Sequence, residues 1–289
     1  MANKVNHFKT RYAFLFFSIL VFFGCSNDAD YSGFFRSTDR VNDRFEQSDD
    51  WNKFHPFKNL VVNTDNYRLL VASDVHIGGL RNFNILLDEA KKPENLAFVI
   101  VGDVVSGEKE DYLVLKDILP DFDSIPYFLL VGNHDLYFDG WKTFHEYFGT
   151  STYYFTVQTP AAKDIFICLD TGGGTLGDKQ LAWFKNLLST QRANYRNCVV
   201  FTHVNFFLNW NSNSTGLINP EINTLLDLFV QYHIVMSING HDHIRGLTAF
   251  GYTTYLTLDA FADYASNASF LRLNVTGGKI GYEYQEINH

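Results

Sequence analysis

The feature that most constrains this chain is a series of short apolar runs, each followed at once by polar residues. Residues 68–72 (RLLVA) lead into Ser73-Asp74, and 97–101 (AFVIV) into Gly102-Asp103. Residues 127–131 (YFLLV) lead into Gly132-Asn133-His134-Asp135, and 164–169 (DIFICL) into Asp170-Thr171. Residues 199–201 end in Thr202-His203, and 235–238 in Asn239-Gly240-His241. Nearly continuous apolar strands of this length predict a sheet buried on both faces. Helical patterns lie between them at 80–92 and 221–231. Another follows Asp178, which would cap it and leave Leu181, Phe184, Leu187 and Leu188 on one face. This alternation predicts βα units, a largely parallel sheet and an α/β fold. After His243 the segments 253–258, 270–275 and 280–286 follow one another without helices. They predict antiparallel strands closing a second sheet. No linker composition interrupts 67–289, which reads as one domain.

In open α/β sheets, ligands bind at the C-terminal ends of the strands. The side chains delivered there are Asp74 and His76, Asp103, Asn133 with His134 and Asp135, His203, and His241 with His243. Asp74 and His76 are two apart and share a side in extended backbone, as do His241 and His243. Any one of these histidines alone would more often be a structural residue; their joint placement overturns that. Carboxylates and imidazoles together suit Mn, Fe or Zn. An Asp can bridge two ions, and an amide oxygen such as that of Asn133 can complete a shell. Two ions about 3.5–4 Å apart polarise a phosphoryl group and activate a bridging hydroxide. An imidazole outside the metal shells could protonate the leaving oxygen.

The blocks SDVH (73–76), GD (102–103), GNHD (132–135), TH (202–203) and GHDH (240–243) resemble the calcineurin-like metallophosphoesterase superfamily, in its order and over roughly 67–245. The resemblance implies a four-layer α/β/β/α sandwich. It implies two divalent ions, the first on Asp74, His76 and His243, the second on Asn133, His203 and His241, with Asp103 bridging. His134 would be the general acid or would stabilise the transferring phosphoryl group. Asp135 would orient His134 by accepting its other ring proton. The implied activity is hydrolysis of a phosphomonoester or phosphodiester by attack of the bridging hydroxide. Ser106 stands where the purple acid phosphatase branch carries its iron-binding tyrosine, which speaks against that branch. Phe148-Gly149 and Tyr153-Tyr154-Phe155 look like the family's usual continuation.

The N-terminus reads differently. Lys4, Lys9 and Arg11 precede an uncharged apolar run over 12–24, and no acid lies before Cys25. The run is shorter than the about 20 residues that span a bilayer. It reads as a signal peptide over 1–24. Gly24-Cys25 resembles a lipobox, with Phe22 where Leu is usual, so Cys25 would carry a lipid; an uncleaved anchor is the alternative. Residues 25–66 read as a tether and N-terminal extension, with one helical turn over 41–47. The polar stretch 26–30 resembles export signals of some Gram-negative surface lipoproteins, and a plain tether explains it equally well. The expected location is the outer membrane, on its periplasmic or cell-surface face. The expected partners are a small phosphate ester and, through the lipid, the membrane. A formal charge of -9 argues against a broad nucleic-acid surface. It leaves room for a phosphate, because bound cations reverse the local field.

Two other readings compete. Gly172 to Gly177 fits G-x-G-x-x-G between a strand and a helix, the pattern of a dinucleotide-binding oxidoreductase. The acidic residue expected after the next strand is missing; Thr202-His203 stands there. The other is a non-catalytic surface lipoprotein that captures a phosphorylated or glycan ligand, with Phe206, Phe207 and Trp210 beside His203. Such a protein should have lost ligands, and all seven are present. Cys168 and Cys198 fall in apolar strands and read as inert core thiols, with a disulfide as the alternative. Residues 204–220 and 172–177 are where substrate choice should lie.

Overall fold

The computed structural model describes residues 38–207, 217 and 219–287. The expected signal segment, Cys25 and the start of the expected tether lie outside the described residues, as does Trp210. No described helix is long and apolar enough to cross a membrane.

The apolar runs become strands: β2 (Tyr67–Ala72), β3 (Asn95–Val101), β4 (Tyr127–Leu130), β6 (Lys163–Leu169), β7 (Cys198–Thr202) and β8 (Met236–Asn239). Between them lie α2 (Arg81–Ala90), α3 (Lys109–Ile118), α4 (Gly140–Phe148), α5 (Gly177–Gln191) and α6 (Asn219–Gln231). Ahead of them stand α1 (Val41–Phe54) and β1 (Asn59–Val61). The remaining strands are β5 (Tyr153–Gln158), β9 (Gly246–Phe250), β10 (Thr253–Thr257), β11 (Ser269–Thr276) and β12 (Lys279–Glu286). They form two sheets, ordered β1-β5-β6-β7-β8-β10-β9 and β12-β11-β2-β3-β4.

Alternation along the strands explains why the two sheets stack. Leu69, Val71, Val99, Val101, Phe166, Cys168, Phe201 and Ile238 point into one core between the sheets. Their neighbours Leu70, Ala72, Phe98 and Ile100 face α2, α3 and α4 on the other side. Ile165, Ile167, Leu169 and Val200 face α5 and α6. A strand buried on both faces needs apolar residues at both parities, which is why the runs lacked alternation. Helices, sheet, sheet and helices make the expected four layers.

Three expectations change. First, part of the presumed tether is built into the fold: 41–54 is a full helix and β1 pairs in parallel with β5. The helix is held by polar groups. Arg44 is 3% exposed and donates to both oxygens of Asp170, at 2.7 and 3.1 Å. Gln47 accepts from the Trp141 indole at 2.8 Å, and Asn52 donates to the Thr152 carbonyl at 2.8 Å. Second, the C-terminal strands do not close a sheet of their own. β10 lies parallel to β8 with β9 outside it, while β11 pairs antiparallel with β2 and carries β12 at the edge of the other sheet. Third, Asp178 sits inside the first turn of α5, and the N-cap position falls to Leu176, whose side chain makes no cap bond. The cap comes from Glu221 on α6, which accepts from Leu176 and Gly177 amides at 3.2 and 3.3 Å. Cys168 and Cys198 are buried free thiols.

Candidate metal centre

The predicted side chains converge at the C-terminal ends of β2, β3, β4, β7 and β8. Asp74, His76, Asp103 and His243 form one group that could hold a metal ion, and Asp103, His203 and His241 form another. In each, the ligand atoms lie within 4.8 Å of one another, and Asp103 belongs to both. Asp74, Asp103 and His203 are almost wholly buried.

Unusual backbone aims these groups. Among the described non-glycine residues eight have positive φ, and five of them are Asp74, His76, Asp103, His241 and His243, with φ from 46 to 71°. L-residues avoid this region at a cost of roughly 1–2 kcal/mol each, and such strain clusters where geometry matters to function. Main-chain bonds hold it: Asp74 N donates to Gly102 O (3.1 Å) and His76 N to Asp103 O (3.0 Å). A side chain at position 132 would overlap Asp103, and one at 240 would overlap Ser73 and Asp74. Both glycines are therefore required for the loops to approach so closely.

Bonding around the ligand atoms fits cations. His203 Nδ1 lies 2.9 Å from the Val101 carbonyl, so this nitrogen is the donor. Its Nε2 then faces Asn133 Oδ1 at 3.1 Å and Asp103 Oδ2 at 3.4 Å. Three acceptors meeting at one point need a positive charge between them, either a proton or a metal ion. Asn133 is oriented for this, because its Nδ2 donates to the Tyr137 hydroxyl at 3.3 Å. His76 Nε2 is buried, has no hydrogen-bond partner among the described residues, and lies 3.8 Å from Asp103 Oδ2. His243 Nε2 lies 3.2 Å from Asp74 Oδ1, and the His241 amide donates to the same carboxylate at 3.0 and 3.2 Å. The donor set thus fits two divalent ions sharing Asp103.

The titration behaviour agrees. Burial pulls the His203 ring toward neutrality, but the Asp103 charge and hydrogen bond, with Asp74, push it up to about 10. Burial would raise Asp103, yet His203, His76 and His134 hold it well below the usual carboxylate range. Burial lowers His76 and His241, which favours the neutral, ligating form. His243 is raised by its hydrogen bond to Asp74.

His134 sits at this centre without being a ligand in either group. Its ring centroid is 4.7 Å from that of His76 and 4.7 Å from that of Tyr137. Its amide donates to Asp103 Oδ1 at 2.8 Å.

Asp135 departs from the expectation. Its carboxylate accepts from three main-chain amides, Gly132 (2.7 Å), Val105 (2.9 Å) and Val104 (3.1 Å), and none of its bonds goes to the His134 ring. It ties the loop bearing Asp103 to the loop bearing Asn133 and His134. The reason is local: the 3-10 turn His134–Leu136 puts the Asp135 side chain inward, away from the His134 ring. Burial and then the Asp103 charge push its carboxyl up to about 8, against the pull of the three amides. Positive charge at Asp103 would oppose that push.

Sequence reading gave no role to Tyr137 or Thr171. The Thr171 hydroxyl accepts from the His203 and Val204 amides at 2.9 and 3.0 Å. Gly172 packs so tightly on Gly132 that a side chain there would strike its carbonyl. The glycine-rich loop therefore buttresses the candidate centre, where the alternative reading had it cradle a dinucleotide.

The calcineurin-like phosphoesterase family model matches residues 67–245. No curated protein matches the chain. Among solved structures, a dimetal phosphatase from Danio rerio is similar with a TM-score of 0.57 and 12% identity, over 76% of this chain and 96% of that one. GAP50, the anchor in the inner membrane complex of Plasmodium, is similar with a TM-score of 0.56 and 12% identity, over 78% of this chain and 90% of that one. At such identity the two structures support the fold alone. With more than half of its length matched by the family model, the chain belongs to the calcineurin-like phosphoesterase family.

Proposed function

We propose that the protein is a dinuclear metal-dependent phosphohydrolase acting on a phosphomonoester or phosphodiester. One observation carries this reading: two groups of metal-capable atoms share the buried carboxylate of Asp103. Asp74, His76 and His243 would hold one ion, Asn133, His203 and His241 the other, with Asp103 between. Two ions so held polarise a phosphoryl group and make a nucleophile of water at neutral pH. The chain's own residues supply the rest. Val101 O fixes the His203 tautomer, and Tyr137 fixes the Asn133 amide. His134, beside the centre and outside both groups, is placed to give a proton to the departing oxygen. Asp135 keeps the loops of Asp103 and His134 in register.

The fold alone does not decide between catalysis and binding, since one similar structure is a phosphatase and the other an anchor. The retained ligand set and the orphaned His76 nitrogen favour catalysis over capture of a phosphorylated or glycan ligand. Mn, Fe and Zn all suit mixed N/O ligands. The test is turnover of aryl phosphate mono- and diesters by protein supplied with each metal. Asp103→Asn and His134→Ala should each lower turnover by about 10²-fold or more. Near-wild-type rates for both would remove the mechanism. Metal analysis should find up to two ions per wild-type chain, and none after Mn addition would remove the centre itself.

A further inference from the structure

Tyr264 is 71% exposed, and among the described residues only Phe54 is barer of the exposed large hydrophobics. Its ring nevertheless belongs to the candidate centre, with its centroid 6.1 Å from that of His76 and the planes 35° apart. His76 is also the ring neighbour of His134. Tyr264 is thus one ring removed from His134 and, equally, from His243, whose ring centroid lies 5.4 Å from that of His76.

The backbone beneath it is firmly tied down. The Phe261 amide donates to the Ser73 and Asp74 carbonyls at 3.0 and 3.1 Å. Asn82 Nδ2 donates to the Phe261 and Ala262 carbonyls at 3.2 and 3.0 Å. Asp263 accepts from the Arg81 and Asn82 amides at 3.0 and 2.8 Å, capping α2. The Ala265 amide closes the turn on Ala262 O at 3.0 Å. A rigid turn, bonded to the segment that carries Asp74, thus presents a bare aromatic face beside the reacting centre. A ring left this exposed on a fixed backbone gains little for the fold. It is well suited to stacking on a planar ligand.

We propose that Tyr264 is a specificity-determining residue: its ring stacks on the leaving group, so the favoured substrates are phosphoesters whose alcohol carries an aromatic or heteroaromatic ring. This rests on the phosphohydrolase reading and adds to it the class of alcohol released.

The experiment compares phenyl with n-butyl phosphate, and the corresponding diesters, on Mn-supplied wild type, Tyr264→Ala and Tyr264→Phe. In parallel, phenylphosphonate and butylphosphonate, which lack the scissile ester oxygen, are titrated calorimetrically into the same proteins. Each variant is scored by its aryl-over-alkyl ratio of kcat/KM and of Kd, so differences in intrinsic ester reactivity cancel. Tyr264→Ala should lower both ratios by about 5- to 100-fold, the range found when a stacking aromatic is removed. Tyr264→Phe should keep them. Ratios unchanged in Tyr264→Ala would overturn the proposal, as would equal losses in the Ala and Phe variants, which would place the effect in the hydroxyl. If wild type cleaves no ester with any metal, the phosphohydrolase reading falls. The phosphonate titration then still decides whether the ring selects aromatic ligands.

Discussion

Replacing Arg44 tests whether α1 is part of the domain or a tether. Its guanidinium and the Asp170 carboxylate are both nearly inaccessible, at 3% and 2% exposure, and they meet in a two-pronged ion pair. A third bond runs from Arg44 Nη1 to the Asp39 carbonyl at 3.1 Å. Asp170 also accepts from Gly172 N at 3.1 Å, at the start of the loop whose Thr171 supports His203. Removing one partner strands a buried charge, which costs about 3–5 kcal/mol. In a domain of this size each kcal/mol shifts Tm by about 2–4 °C. Arg44→Ala should therefore unfold about 6–20 °C below wild type. The assay is calorimetry in excess chelator, so that metal binding does not add its own stabilisation. Arg44→Met with Asp170→Leu should recover much of the loss, because no charge is left unpaired. If Arg44→Ala unfolds within about 2 °C of wild type, the ion pair contributes nothing and α1 is only loosely attached.

Two further outcomes are expected. Asp135→Asn places an amide NH₂ against main-chain donors, so it should lower Tm by several degrees and weaken Mn binding by about 10- to 100-fold, as losses of supporting hydrogen bonds around metal ligands do. A fall in turnover with Tm and Mn affinity both intact would restore Asp135 as a direct partner of His134. If Cys25 carries the lipid expected from the sequence, Cys25→Ala should abolish incorporation of labelled fatty acid in a Gram-negative host, and labelling that persists would remove that expectation.

How much of this was legible in the sequence follows from how each element is stabilised. β2, β3, β6 and β7 are buried on both faces, so their apolar runs announced them to within two residues. The side chains of the candidate centre were legible because each stands at the end of such a run. Of α1 only a single turn over 41–47 was legible, because its buried residues are Arg44 and Ser48 and it has no apolar stripe to read. β9 is exposed along its whole length, and β1 nearly so. No periodicity marks strands whose evidence is main-chain pairing alone. The splitting of the C-terminal strands between two sheets depends on long-range register, to which local alternation is blind. Asp135 was expected against the His134 ring and accepts from three main-chain amides, since spacing cannot say which way a turn aims a side chain.

That bonding points to how the centre is built. Five of its seven candidate ligands sit in left-handed backbone, a conformation that none of them would hold in isolation. What holds it is a set of groups that touch no metal: the Asp135 carboxylate across three amides, Thr171 under His203, and glycines at 132 and 240 that let the loops close. These tie the candidate ligands to both sheets, because Asp74, Asp103 and Asn133 follow strands of one and His203 and His241 follow strands of the other. Strain of this kind persists only where the surroundings over-determine it. The geometry should therefore exist before any ion arrives, with the proton on His203 occupying the place of a cation. Metal uptake would then exchange a proton for an ion in a site already shaped, and would not fold the site around the ion. Hydrogen exchange at Val104, Val105 and Gly132 should accordingly be slow in chelator and little changed by Mn. Fast exchange that becomes protected only with metal would show that the ion, and not Asp135, assembles these loops.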